Sequence, residues 1–203
     1  RLLPEELAGD HGELIGRELI MRTTRGGREW WSVRFNQVHG PVPVVRSFAS
    51  LSAEFDELGS QLVSWIATKK IRPNDICIIY NGEAVRDQLE AEIGAKLRTV
   101  GARLEVQVGS VFTRDASTVV ASTAQSFKGY DSEVVVVVGA DKFCAREKGI
   151  LANNLYVAMT RARSILAVYG VMASSENGRR IMSVLTECLE LLTTVPCIEA
   201  DDF

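Results

Sequence analysis

Five consecutive valines, Val134 to Val138, constrain this chain more than any other feature. A strand with one wet face alternates apolar and polar residues. An unbroken apolar run reads instead as a strand covered on both faces, as in a parallel sheet layered with helices. The rest of the pattern agrees. Val42 to Phe48, Ile76 to Tyr80, Leu104 to Val108, Thr118 to Ala121 and Ile165 to Tyr169 read as strands. Leu51, Phe55, Leu58, Leu62 and Ile66 fall at helical spacing behind Ser50 or Ser52 as the cap, and Ile71-Arg72-Pro73-Asn74-Asp75 ends that helix. Further helices are expected from Asn81-Gly82 to about Leu97, from Leu151 to Ala162, and from Ser174 to about Leu192. Strands alternating with helices predict an α/β fold with a parallel sheet. Ligands of such sheets gather in the loops at strand ends. The polar run Ser122 to Glu133, immediately before the valines, therefore lies where function is expected.

At 203 residues and 46% hydrophobic, the chain buries one good-sized core, or one core plus a small appendage. A net charge of −3 excludes a general polycation, so contact with nucleic acid requires a local patch. Arg17 to Arg34 offers one candidate, with five arginines, two glutamates and Trp30-Trp31. Such a stretch can hold a single strand by charge and stacking, but tryptophans more often anchor an extension while the arginines stay solvated. Residues 1–40 read as an N-terminal extension or interdomain segment, 41–195 as the folded domain, and 196–203 as an acidic tail. The four cysteines show no CxxC spacing, and Cys77 sits in an apolar run as a buried thiol would. That pattern points to a reducing, cytoplasmic compartment. His11 and His39 have no metal-ligand pattern around them, and no metal site is expected. There is no secretory signal and no apolar run of membrane-spanning length. The chain starts at an arginine, and it is expected to be a piece of a longer protein.

Two segments carry chemistry. In the first, Thr123, Gln125 and Ser126 offer hydroxyl and amide groups suited to phosphates and sugars. Lys128 is a point charge for a phosphate or an acid. Gly129 admits close backbone approach, and Asp131 can accept from a ribose hydroxyl. The bland reading is a capped loop between buried strands. The second segment is Asn153 to Ser164, NNLYVAMTRARS. Arg161 and Arg163 at a helix end either complement the helix dipole or present guanidinium forks to phosphate.

Taken together, Thr123-x-Gln125-x-x-Lys128-Gly129-x-Asp131, a valine strand, and Tyr156-Val157-Ala158-Met159-Thr160-Arg161-Ala162-Arg163 form an ordered pair. The pair resembles motifs V and VI of superfamily 1 helicases of the UvrD/Rep type. Gln125 stands where that family usually has histidine, and Asp131 where it has glutamate. The resemblance covers about Val42 to Gly170, and Asn81 stands where an arginine is frequent. It implies a RecA-like three-layer α/β/α domain with a mostly parallel sheet, the second of two motor domains that share ATP. Arg161 would be the arginine finger. Lys128, Gly129 and Asp131 would lie by the nucleotide, and Thr123, Gln125 and Ser126 on single-stranded DNA, with RNA as the alternative. The Mg2+ ligands would belong to the first domain. Here Gly-x-x-x-x-Gly-Lys-[Ser/Thr] is absent, and Gly94-Ala95-Lys96 runs on into Leu97 within a predicted helix. No Asp-Glu pair ends an apolar strand. The resemblance therefore implies ATP hydrolysis only together with a first motor domain in the same polypeptide. The forty or so residues between Tyr80 and Thr123 leave no room for the large subdomain of UvrD-type enzymes. The competing reading is a helicase-derived module that binds nucleic acid or protein without catalysis.

Overall fold

The computed structural model describes residues 19–23, 29–34, 41–107, 115–143, 150–172 and 175–194, of which 19–23, 29–34, 150–153 and 191–194 are described in backbone alone. Leu19–Thr23 (β1) and Glu29–Arg34 (β2) form an antiparallel hairpin. The sequence reading found no element there. The hairpin belongs to a separate unit from residues 41–195, which hold the main sheet and its helices. Residues 17–18 and 24–28 of the arginine-rich stretch, both histidines, Val108, Cys144 and the acidic tail lie outside the described residues.

In chain order the main unit contains β3 (Val44–Phe48), α1 (Leu51–Ala67), β4 (Ile76–Tyr80), α2 (Glu83–Arg98), β5 (Arg103–Val106), β6 (Thr118–Thr123), β7 (Ser132–Val137), α3 (Ile150–Met159), β8 (Ala162–Val171) and α4 (Glu176–Thr194). Six strands make one sheet in the order β3-β8-β7-β4-β6-β5, and every neighbouring pair is parallel. Ser50 caps α1 by accepting from the Ala53 N–H at 3.2 Å. Ser52 instead donates to Glu92 of α2 at 3.4 Å. Pro73 holds Arg72 extended and opens a single 3-10 turn, Pro73–Asp75, that feeds β4.

The valine strand behaves as its composition demands. Val134, Val136 and Val138 join Ile76, Ile78 and Tyr80 in a core with Phe55, Leu58 and Leu62 of α1 and Leu89 and Ile93 of α2. Val135 and Val137 join Cys77 and Ile79 in a second core with Leu155 and Ala158 of α3 and Met182 of α4. Successive residues of a strand point to opposite faces, so a strand lined by helices on both sides must be apolar at every position. This is the expected three-layer α/β/α domain with a RecA-like arrangement. Cys77 is buried, whereas Cys188 is exposed. Among the described residues, no helix is long and apolar enough to cross a membrane.

One boundary departs from expectation. The helix of the second motif stops at Met159, not Ala162, and β8 already begins at Ala162. Ala162 opposes Ser132 in the β7–β8 ladder, so strand pairing wins over helical propensity for the last three residues. Arg161 thus sits in the turn between the two elements and Arg163 within a strand.

Candidate nucleotide and nucleic-acid site

The segment between β6 and β7 has an unusual task. Its two strands are parallel and lie on either side of β4, so it must carry the chain from the carboxyl end of the sheet back to the amino end. Such a crossover ordinarily takes a dozen or more residues. Here residues 124–131 do it as a run of tight turns: Phe127 N–H bonds Thr123 O at 3.0 Å, Lys128 N–H bonds Gln125 O at 3.2 Å, and Tyr130 N–H bonds Phe127 O at 3.1 Å. Thr123 Oγ1 caps the run, accepting from Ser126 N–H at 3.2 Å and donating to Ser126 Oγ at 3.1 Å. Ala124 and Phe127 are buried in the second core and pin the segment to the sheet.

This crossover sends the candidate residues to opposite ends of the sheet. Thr123 is level with Tyr80 at the carboxyl end of β4, while Val134 is level with Ile76. Ser132, two residues before Val134, hydroxyl-bonds Asp75 O at 2.8 Å at the amino end. Four steps of β4 from Tyr80 to Ile76 and three more from Val134 to Asp131 put Thr123 and Asp131 roughly 23 Å apart along the sheet. Thr123, Gln125 and Ser126 therefore lie towards the carboxyl end, and Asp131 and Arg161 at the amino end. Lys128 and Gly129 are exposed on the way between them. The expectation that all of Ser122 to Glu133 sits at the ligand-binding strand ends holds for its first part only.

At the amino end, the ladder itself builds the site. Because Ser132 opposes Ala162, the residues just before each are brought side by side, and Ser132 N–H bonds Arg161 O at 3.0 Å. Arg161 Nη1 lies 3.3 Å from Asp131 Oδ1. Its Nε donates to Val157 O at 3.2 Å and its Nη2 to Thr160 Oγ1 at 3.3 Å. The Arg161 side chain thus closes the end of α3 and remains 26% exposed, at the amino end of the sheet and not sealed inside the domain. A register shift follows: β7 takes two steps from Ser132 to Val134 while β8 takes three from Ala162 to Ile165. The extra residue is a bulge on β8, where two residues oppose one. Arg163 and Ser164 both reach Glu133, Arg163 Nη1 at 3.6 Å and Ser164 Oγ at 2.7 Å. Glu133 and Ser164 were not among the sequence candidates, and no local pattern marks a bulge between distant segments.

Gly129 has φ +93°, and a Cβ there would meet nothing within 4 Å. Its glycine is explained by the left-handed backbone, not by a crowded approach. Gly129→Ala should lower the urea unfolding midpoint by the equivalent of about 1–2 kcal/mol through backbone strain alone. A mutant as stable as wild type would show that the segment relaxes freely at that position.

At the carboxyl end, Thr123 and Ser126 line an open cleft of ≈ 210 Å³ with Tyr80, Gly82, Glu83, Arg86 and Gln107. The latter five were not singled out from sequence, although the Asn81-Gly82 turn between a strand and a helix marked the place. Gln125 is exposed beside it. Asn81 donates its side-chain amide to Lys142 O at 2.8 Å, so it bridges two strand exits. Nearby, Glu54 of α1 is fully buried and accepts the Gly139 N–H at 2.7 Å through Oε1, while Oε2 has no hydrogen-bond partner. Buried Asp141 accepts from Val171 N–H at 2.8 Å and lies 3.2 Å from Lys142 Nζ.

Burial, above all, pushes the Glu54 carboxyl up from 4.5 to about 7; the Gly139 N–H opposes this, the Asp141 carboxylate adds to it, and Lys142 counters. Between pH 4.5 and 7 the folded chain therefore holds a proton that the unfolded chain has released. The resulting stability is complete below about pH 4.5 and is lost as pH rises through 7, on the order of 3 kcal/mol. Urea titrations should show wild type losing stability relative to Glu54→Gln across that window, with the variant the more stable of the two at pH 8. Parallel pH profiles for both proteins would refute the assignment.

No protein-family model matches the chain, and no curated protein matches it. Solved structures do. One is described as the C-terminal domain of a possible DNA helicase from Lactobacillus plantarum WCFS1, at 19% identity and a TM-score of 0.53, over 70% of this chain and 81% of that one. At that identity the likeness is one of fold: the two domains share an architecture.

Proposed function

We propose that the chain is the second RecA-like motor domain of an ATP-dependent superfamily 1 helicase or translocase of the UvrD/Rep type, acting with a first motor domain in the same polypeptide. One observation carries the reading. The two motifs that resemble that family, thirty residues apart in sequence, meet as Asp131 and Arg161 at 3.3 Å at the amino end of a sheet with the right fold. The division of the candidates between opposite ends of the sheet supports it too, since a nucleotide and a nucleic-acid strand need different surfaces.

In this reading Arg161 faces the phosphates and stabilises the charge that develops as a phosphoryl group is transferred. A guanidinium fork, permanently charged and on a side chain partly exposed at the amino end of the sheet, fits that anion chemically. Asp131 accepts from the ribose, with Lys128 and Gly129 beside the nucleotide. Thr123, Gln125 and Ser126 face single-stranded DNA at the other end, where the cleft supplies Arg86 and Gln107 as further donors. Magnesium ligands, the phosphate-binding loop and the catalytic base belong to the first domain. The 203-residue chain alone is then inactive.

A second reading, a helicase-derived module that binds nucleic acid or protein without turnover, draws on Arg161 already having Val157 O, Thr160 and Asp131 as partners within its own domain. The deciding assay is ATP hydrolysis by the full-length polypeptide with and without single-stranded DNA. Strand-stimulated turnover supports the motor. Strand binding without turnover selects the module.

A further inference from the structure

Asp131 stands between two arginines. Its Oδ1 lies 3.3 Å from Arg161 Nη1, and its Oδ2 lies 4.0 Å from Arg163 Nε. Among the described residues Asp131 is the sole carboxylate partner of Arg161, whereas Arg163 also reaches Glu133 at 3.6 Å. The arrangement is lopsided in exposure as well. Arg161 is 26% exposed and tied to the end of α3, while Arg163 is 63% exposed on a bulge.

We propose that Asp131 is a positioning residue that holds Arg161 in reserve, and that Arg163 is its replacement counter-ion. This rests on the reading of Arg161 as phosphate-facing. With no phosphate at hand, the Asp131 carboxylate occupies Nη1, the part of the fork that an anion would use. When a polyphosphate approaches, Arg161 transfers that donor to a phosphate oxygen. Arg163 then closes its remaining distance to Asp131, so the carboxylate is never left without a cation. Such an exchange is nearly balanced, because partly exposed ion pairs are individually weak. The carboxylate thereby sets the threshold at which the fork engages, and it keeps the guanidinium from binding stray anions. The β8 bulge is what makes the exchange geometrically available, since it turns Arg163 and Ser164 together onto Glu133, two residues from Asp131.

The test uses tripolyphosphate, which carries the anion but no ribose or base, titrated calorimetrically into the 203-residue chain at low ionic strength. Asp131→Asn should bind it about fivefold tighter than wild type, the worth of one exposed ion pair no longer competed away. Asp131→Glu should return the affinity towards wild type. Glu133→Gln removes the same charge two residues along without touching Arg161, and should change affinity by less than about twofold. Arg163→Ala should weaken binding, since Asp131 then loses its second cation. Equal gains from Asp131→Asn and Glu133→Gln would reduce the effect to a general field and overturn the reserve mechanism alone. Weaker binding by Asp131→Asn would overturn it as well, making Asp131 a builder of the site. If neither wild type nor Asp131→Asn binds tripolyphosphate, or if Arg161→Ala binds as wild type does, the phosphate-facing reading of Arg161 falls and takes this inference with it.

Discussion

Arg161→Ala in the full-length polypeptide should lower DNA-stimulated ATP hydrolysis about a thousandfold while ATP still binds, the loss typical of an arginine that stabilises charge in phosphoryl transfer. The size follows from where the charge develops. A guanidinium that engages the phosphates more strongly in the transition state than in the ground state acts on kcat, not on KM. The structure adds a complication that the experiment must separate. Arg161 also bonds Val157 O and Thr160 Oγ1, so alanine loosens the end of α3. Arg161→Lys is the informative companion. It keeps a cation near Asp131 but cannot present a planar fork. If lysine restores folding stability yet leaves turnover low, the loss belongs to phosphate chemistry. If both variants hydrolyse ATP at the wild-type rate, Arg161 is a structural residue of the helix end and the motor reading is wrong.

Phe127→Ala should destabilise the domain by about 3–5 kcal/mol, the range for removing a buried phenylalanine ring. Phe127 is fully buried, and it shares the second core with Ile79, Val135, Val137, Leu155 and Met182. It is also the pin of the 124–131 crossover, whose turns would otherwise be held by three hydrogen bonds and the Thr123 cap. Loss of the ring therefore removes packing and releases the segment that joins the two candidate surfaces. Phe127→Leu, which keeps most of the volume, should cost less than about 1.5 kcal/mol. Urea unfolding measures both. An alanine variant within 1 kcal/mol of wild type would mean that the crossover is anchored by its backbone and that the ring is incidental.

In the first motif, the polar residues at 123, 125, 126, 128 and 131 advertised chemistry, whereas Phe127 in their midst is what fastens them to the sheet. Side chains that make a segment look functional and side chains that place it are different residues here. Gly129 shows the same division. Its type was legible, but the physical cause is a left-handed backbone with open space around it. The hairpin of β1 and β2 was missed although Gly26-Gly27 lies between its strands, because Leu19-Ile20-Met21 and Trp30-Trp31 are short apolar runs and not the alternation that marks a strand.

The sequence by itself determined the layering of this protein. A run of valines has no polar face to show to water, so it must lie between two layers of helices, and the spacing of Leu51 to Ile66 supplies one of them. These are local periodicities, and local periodicity is set by the 2.0- and 3.6-residue repeats of the backbone. Only the tertiary structure decided the order β3-β8-β7-β4-β6-β5, the separation of Thr123 from Asp131 to opposite ends of the sheet, and the bulge that brings Arg163 and Ser164 onto Glu133. Each of these is a register between segments far apart in the chain, and register is chosen by the packing of whole strands and helices against one another. The pairing of Ser132 with Ala162 sets Asp131 beside Arg161, though neither residue carries any local mark of the other.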